Sequence, residues 1–256
     1  MKYAIITGTS RGLGEAVAKL LMTNHVHVVG ISRKQSPILK QIASENNVTF
    51  QEINCDLGKI EELETLVQLA FKQIIRKEAS ELYLINNAAV IEPIEQGMNI
   101  SPQALAYHFQ VNAVAPMVLT NLFLKQANNI DIPVVSLTVT SGAAEKPTYG
   151  WSAYCSSKAS INMYTKTIAL EQEHLGTNHK VIAFSPGVMD TAMQEEIRSS
   201  SKTSFTSVGK FRAYKENNQL RDTEKIGKLV VQILLSKNIV NGKIYEAKDY
   251  LLPQES

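Results

Sequence analysis

Thr7-Gly8-Thr9-Ser10-Arg11-Gly12-Leu13-Gly14 closes an apolar run at 2–7 and opens a segment in which Val17, Leu20 and Leu21 recur at helical spacing. A β-rich run, a glycine-rich turn and an immediate helix form the opening unit of an α/β fold. Glycines here permit a tight turn, close approach of a ligand to the backbone and close packing of helix on strand. The N–H groups at the helix start would face an anion such as a pyrophosphate. A glycine-rich turn without any ligand has the same spacing, so the turn needs support from the rest of the chain.

Short β-rich apolar runs recur at 2–7, 26–31, 48–53, 81–86, 133–140, 180–184 and 242–247, with helical spacing at 14–22, 60–75, 103–124 and 152–175 between them. Strand then helix, repeated, predicts an α/β protein: one Rossmann-like doubly wound domain over 1–256, a seven-stranded parallel sheet flanked by helices. Linkers, repeats and low-complexity tracts are absent except for the Ser-rich stretch 199–207. That stretch falls between the sixth strand and the last helix, over the carboxyl ends of the strands, where open α/β sheets bind ligands. Residues 191–220 are therefore a candidate substrate lid, the alternative being a solvated loop with one helix.

The bulk composition narrows the partners. At 256 residues, 44% hydrophobic and 20% charged, the chain suits a globular core. The net charge of +2 comes from interspersed charges without a basic face, which argues against nucleic acid. No run approaches a membrane span or a secretory leader, so a cytoplasmic, membrane-free protein is expected. Cys55 and Cys155 read as free thiols, and the five histidines include no HExxH or zinc set, so no metal is expected.

The second strand ends Val29-Gly30-Ile31-Ser32-Arg33-Lys34, without the acidic residue that would hold the ribose hydroxyls of NAD. Ser32 and Arg33, with Arg11 from the glycine turn, suit a 2′-phosphate, because a guanidinium pairs with phosphate in a bidentate fork. NADPH is the expected cofactor, against the alternative that these cations are only solvated.

Tyr154-Cys155-Ser156-Ser157-Lys158 opens a helical segment, and residues at i and i+4 share one helical face. An ammonium beside the phenol would stabilise the phenolate and lower a pKa otherwise near 10. Chance supplies such a pair readily, and an exposed helix pair is the competing reading. Ser141, thirteen residues earlier at the end of a strand, falls on the same carboxyl edge as the glycine turn. Asn112 stands in an apolar helical stretch, where it needs hydrogen-bond partners, either local ones or those of a polar relay.

Taken in order and spacing, Thr7-Gly8-x-x-x-Gly12-x-Gly14, Asp56, Asn86-Asn87-Ala88, Asn112, Ser141, Tyr154/Lys158 and Pro186-Gly187 resemble the classical short-chain dehydrogenase/reductase family over essentially the whole chain. The resemblance implies that Gly8, Ser10, Arg11, Gly12, Leu13 and Gly14 cradle the cofactor and that Asp56 and Leu57 lie near the adenine. It implies that Asn87, Ala88, Pro186, Gly187, Val188 and Thr191 line the cofactor channel. Ser141 would hold the carbonyl oxygen, Tyr154 would be the acid, Lys158 would bind the ribose and depress the Tyr pKa, and Asn112 would keep a water in the proton relay. A homodimer or homotetramer is the family's habit. Ala89 departs from the family's glycine and puts the local backbone geometry in question.

Three segments, 150–155, 185–194 and 215–220, resemble the sepiapterin reductase-like branch and, within it, bacterial benzil reductases that form (S)-benzoin. Tyr149, Trp151, Met189, Met193, Phe211 and Tyr214 lie in segments expected at the carboxyl edge and suit an apolar, aromatic-lined pocket. Reduction of an aromatic or vicinal diketone such as benzil is the expected activity. A 3-oxoacyl thioester ketoreductase and a sepiapterin reductase are the enzyme alternatives. A sensor that binds NADPH without turnover is the alternative from another class, and it has no need of Ser141, Tyr154 and Lys158 together.

Overall fold

The computed structural model describes residues 1–75 and 79–251. Strands β1 (Lys2–Thr7), β2 (His27–Ser32), β3 (Phe50–Asn54), β4 (Glu81–Asn86), β5 (Val134–Val139), β6 (Lys180–Ser185) and β7 (Ile244–Glu246) form one parallel sheet. Their spatial order is β3-β2-β1-β4-β5-β6-β7. The chain reverses direction across the sheet between β1 and β4, which opens a crevice at the carboxyl ends of those strands.

Both faces of the sheet are buried, which is why its strands read as continuous apolar runs. On one face Ala4, Ile6, Val28 and Ile85 pack against Val17 and Leu21 of α1 (Gly12–Thr23) and Ile226 and Val230 of α9 (Thr223–Leu234). On the other, Ile5, Val29 and Leu84 meet Leu66 and Phe71 of α3 (Leu63–Ile75), Phe123 of α5 (Ala115–Asn129) and Ile168 of α6 (Ser152–His174). A third cluster, with Ile91, Trp151, Tyr154, Ile197 and Phe205, sits apart from these two.

The elements depart from the sequence reading in three places. A short helix α2 (Pro37–Glu45) follows β2, with Pro37 in its first turn and Leu39 and Ala43 buried. The helix expected at 103–124 is two helices, α4 (Pro102–Phe109) and α5, joined through a wide π-turn at Gln110–Val114 in which the Ala115 N–H donates to the Gln110 carbonyl. Pro116 has no N–H and cannot supply the bond that a continuous α-helix would need there. The stretch 191–220 carries two helices, α7 (Ala192–Ser199) and α8 (Val208–Glu216), rather than a solvated loop with one. Between them Phe205 is completely buried and Ser204 Oγ donates to Glu95 at 2.8 Å, so the Ser-rich segment is fastened to the body of the protein. Among the described residues no helix is long and apolar enough to cross a membrane, and Cys55 and Cys155 are both unpaired thiols.

Candidate active site

A cleft of about 1580 Å³ runs along the carboxyl edge of the sheet. Its floor at one end is the glycine turn. Gly8 and Gly12 have φ of +75° and +64°, the left-handed region that glycine enters at little cost. Arg11 flanks α1 without supplying a side-chain cap, so the first N–H groups of this helix are left for another acceptor. A Cβ on Gly14 would overlap the Gly8 carbonyl and crowd Asn87 Nδ2. Gly14→Ala is therefore expected to destabilise the fold by about 1–3 kcal/mol and to weaken nucleotide binding. A thermal melt and a cofactor titration check this; an unchanged Tm would contradict the packing account.

The wall beside the turn comes from β4. Thr7 Oγ1 accepts the N–H groups of Asn87 and Ala88, both at 3.0 Å, and Asn87 Nδ2 donates back to the Thr7 carbonyl at 3.0 Å. Ala89, where the family has glycine, is not among the residues with left-handed φ, so the backbone there does not require glycine.

The part of the cleft that carries Arg33 and Asp56 is built around a residue not singled out by sequence. Tyr107 of α4 reaches between two expected cofactor residues: Arg33 Nη1 donates to its hydroxyl at 3.3 Å, and that hydroxyl donates to Asp56 Oδ1 at 3.3 Å. A Cβ at Gly58 would collide with the Tyr107 ring, so the glycine makes room for the tyrosine. Ser32 spends its hydroxyl on the Lys34 carbonyl at 2.6 Å, shaping the turn that presents Arg33. Ser10, Arg11, Leu13, Ser32, Arg33 and Leu57 all line the cleft.

Tyr154, Lys158 and Ser141 meet near the middle. Tyr154 and Lys158 are only 8% and 4% exposed. Burial dominates both: it pushes the Tyr154 phenol up to about 12, opposed by a hydrogen bond from Ser141, and pushes the Lys158 ammonium down to about 8. Lys158 Nζ donates to the Val139 carbonyl at 2.8 Å and lies 5.7 Å from the Tyr154 ring centre. The expected lowering of the phenol by Lys158 does not appear; desolvation raises it, and the opposing influence is the Ser141 hydrogen bond. The phenol consequently stays protonated at neutral pH, as a proton donor must. Ser141 accepts from the Ala143 N–H at 3.1 Å, which holds its hydroxyl at the strand end.

Asn112 does not line the cleft. It is 1% exposed and sits behind the wall, its Oδ1 accepting from the Val90 N–H at 2.8 Å and its Nδ2 donating to the Val90 carbonyl at 2.7 Å. Gly14 is likewise behind the wall, while Pro186, Gly187, Val188 and Thr191 line it on the β6 side. Arg221, also unforeseen, lies flat against Gly187 and donates to the Pro186 carbonyl at 3.0 Å.

Beyond Tyr154 the cleft is walled by rings. Trp151 stacks on Phe205 at 4.8 Å and meets Tyr154 and Phe211 edge-on, each at 5.3 Å; Phe211 in turn meets Tyr214 at 5.8 Å. Met189 and Met193 complete this end. Tyr149 does not belong to it: Gly150, with φ of +81°, turns the chain so that Trp151 points inward while Tyr149 is 48% exposed. Phe205 takes the place in the ring stack that its Ser-rich neighbours had concealed.

These features fit an extended dinucleotide. The glycine turn lines the cleft without a side-chain cap from Arg11 on the helix that follows, and the cleft's volume of about 1580 Å³ exceeds what a ligand pocket usually needs. The family model described as short chain dehydrogenase matches residues 2–202. The chain is 39% identical over 251 residues to the benzil reductase ((S)-benzoin forming) of Bacillus subtilis (strain 168), covering 98% of this chain and 100% of that protein. Its identity to the Bacillus cereus protein of the same name is 34% over 244 residues, covering 95% and 98%. The crystal structure of the short chain dehydrogenase/reductase YIR035C from Saccharomyces cerevisiae superposes with a TM-score of 0.82 at 28% identity, covering 100% of this chain and 98% of that one. The chain thus belongs to the short-chain dehydrogenase/reductase family and is an oxidoreductase that uses a nicotinamide cofactor on CH–OH and C=O groups.

Proposed function

We propose that the protein reduces an aromatic or vicinal diketone such as benzil, to (S)-benzoin, with NADPH as its cofactor. The observation that carries this reading is the ring wall of Trp151, Phe211 and Tyr214, backed by buried Phe205, in which Trp151 meets the Tyr154 ring. Flat aromatic groups of a diketone would stack against that wall at little entropic loss, since two-torsion rings are rigid partners. The resemblance to two bacterial benzil reductases over nearly the whole chain points to the same substrate class.

The reduced nicotinamide, when bound, supplies hydride to the carbonyl carbon. Ser141 donates a hydrogen bond to the carbonyl oxygen and fixes it beside Tyr154. As charge builds on that oxygen, the Tyr154 hydroxyl transfers its proton, giving the alcohol. Lys158 stabilises the phenolate left behind, a charge that a buried site would otherwise reject. Asn112 positions the segment through which a proton returns to Tyr154. Arg33, with Arg11, receives the 2′-phosphate, while Ser32, its hydroxyl held by the Lys34 carbonyl, shapes the turn that presents Arg33, and α7 and α8 cover the substrate end as a lid over 191–220.

Purified protein mixed with NADPH and benzil is expected to lose absorbance at the nicotinamide band and to yield benzoin on a chiral column. No consumption with benzil, together with ready reduction of a 3-oxoacyl thioester, would replace this reading with the fatty-acid-type ketoreductase.

A further inference from the structure

His108 is completely buried, and the chemistry above does not use it. It lies on α4 four residues before Asn112. Its Nδ1 is 2.6 Å from the Glu92 carbonyl, and its Nε2 is 3.0 Å from Asn112 Nδ2 and 3.1 Å from Ser157 Oγ. A carbonyl can only accept, so Nδ1 carries a hydrogen. The Asn112 amide cannot be turned over, because Val90 offers it one N–H and one C=O side by side. The second Nδ2 hydrogen therefore faces Nε2, which must present a lone pair. Only one state of the ring, neutral with the hydrogen on Nδ1, satisfies both ends.

The partners give that state its meaning. Ser157 donates to the Tyr154 carbonyl at 2.9 Å, so the imidazole touches the first turn of α6, and the ring meets the Tyr154 ring edge-on at 6.2 Å. Through Asn112 it touches Val90, which lines the cleft. We propose that neutral His108 is a positioning residue that holds Asn112 and the Tyr154 turn in their working register, and that its protonation releases them. The proposal rests on the proton-relay reading of Asn112.

Every group packed around the ring bears on its titration. Burial lowers its pKa most; the hydrogen bond to the Glu92 carbonyl opposes this, and the Lys158 charge on α6 adds to it. Tyr154 and Ser157 on α6 and Asn112 on the π-turn face it uncharged. A proton on Nε2 would point an N–H at the Asn112 N–H and place a second cation near Lys158. Ser157 Oγ, whose hydrogen goes to the Tyr154 carbonyl, can accept that N–H, so the Asn112 N–H and the Lys158 charge are what favour the neutral ring.

The test has two arms. In the first, histidine-labelled protein is followed by nitrogen NMR, the His108 signal being assigned by its loss in His108→Phe. The expected result is a neutral Nδ1–H ring at pH 7, and an Asn112→Ala variant in which the His108 midpoint moves up because Nε2 has lost its donor. A hydrogen on Nε2 at pH 7, or a midpoint indifferent to Asn112→Ala, overturns the proposal whether or not benzil is a substrate.

In the second arm, kcat and KM for benzil are measured with NADPH between pH 5 and 8. His108→Phe should lower kcat about tenfold with KM little changed, the loss of one buried hydrogen-bond pair. His108→Gln should restore part of kcat and remove the acid limb of the wild-type profile. The effects of His108→Phe and Asn112→Ala should be non-additive. Full activity of His108→Phe beside an impaired Asn112→Ala overturns the positioning role alone. Absent turnover in the wild type overturns the substrate reading and leaves the NMR arm to decide on His108.

Discussion

Tyr154→Phe is expected to lower kcat by roughly 10²–10⁴-fold, the usual worth of a positioned general acid, while the Kd for NADPH stays within a few-fold of wild type. The variant removes one oxygen from a ring that keeps its edge-on packing against Trp151 and His108, so the fold should be preserved. On the proposed mechanism the hydroxyl is the proton source, in a pocket where burial holds it at about 12, and Ser141 alone cannot replace it, since a serine hydroxyl is a far weaker acid. Steady-state kinetics with a melt as the folding control would show this. Turnover retained at wild-type level would remove Tyr154 from the proton-donating role and leave its position beside Lys158 without a chemical purpose.

Exchanging Arg33 for aspartate should have the second largest effect. Arg33→Asp is expected to raise the Kd for NADPH by about 10–100-fold, the scale of one charge-assisted hydrogen bond, and to leave NADH within a few-fold. The substitution removes the cation and adds a like charge to a 2′-phosphate, whereas NADH has no group there to repel. Tyr107 retains its bond to Asp56, so the roof over the adenine end does not depend on the exchanged residue. Isothermal titrations with both nucleotides decide it. Equal losses for NADPH and NADH would reject the phosphate role of Arg33, and the cofactor preference with it.

The parallel sheet and the glycine turn were readable in the chain because each leaves a local mark. Strands covered on both faces are apolar through their centres, as 82–85 and 181–184 are, and a tight turn with left-handed backbone must carry glycine where Gly8 and Gly12 do. What escaped depends on contacts between distant segments. The π-turn adds one residue to a helical repeat, too small a phase change to see in apolar spacing, although Pro116 signals it. Helix α2 is short, and only Ser36-Pro37 announces it. Phe205 stands among serines and threonines, a neighbourhood that reads as solvent, yet its burial comes from Trp151 and Phe211 on other elements. The sign of the Tyr154 shift escaped for a related reason. Spacing brings an ammonium near the phenol, but how much water both lose is a property of the assembled pocket.

The ring stack at the substrate end serves two purposes with one set of atoms. Trp151 and Phe211 line the cavity with Phe205 packed behind them, and the same contacts tie the 191–220 segment to the body of the protein. An exchange that widens the cavity by shrinking one of these rings also forfeits buried packing, on the order of 3–5 kcal/mol for a fully buried aromatic. Descendants of this sequence would therefore acquire new substrates less readily through the stack than through Met189 and Met193, unbranched side chains that adapt their shape without unfastening the cover. Evolvability in this enzyme is concentrated in its methionines.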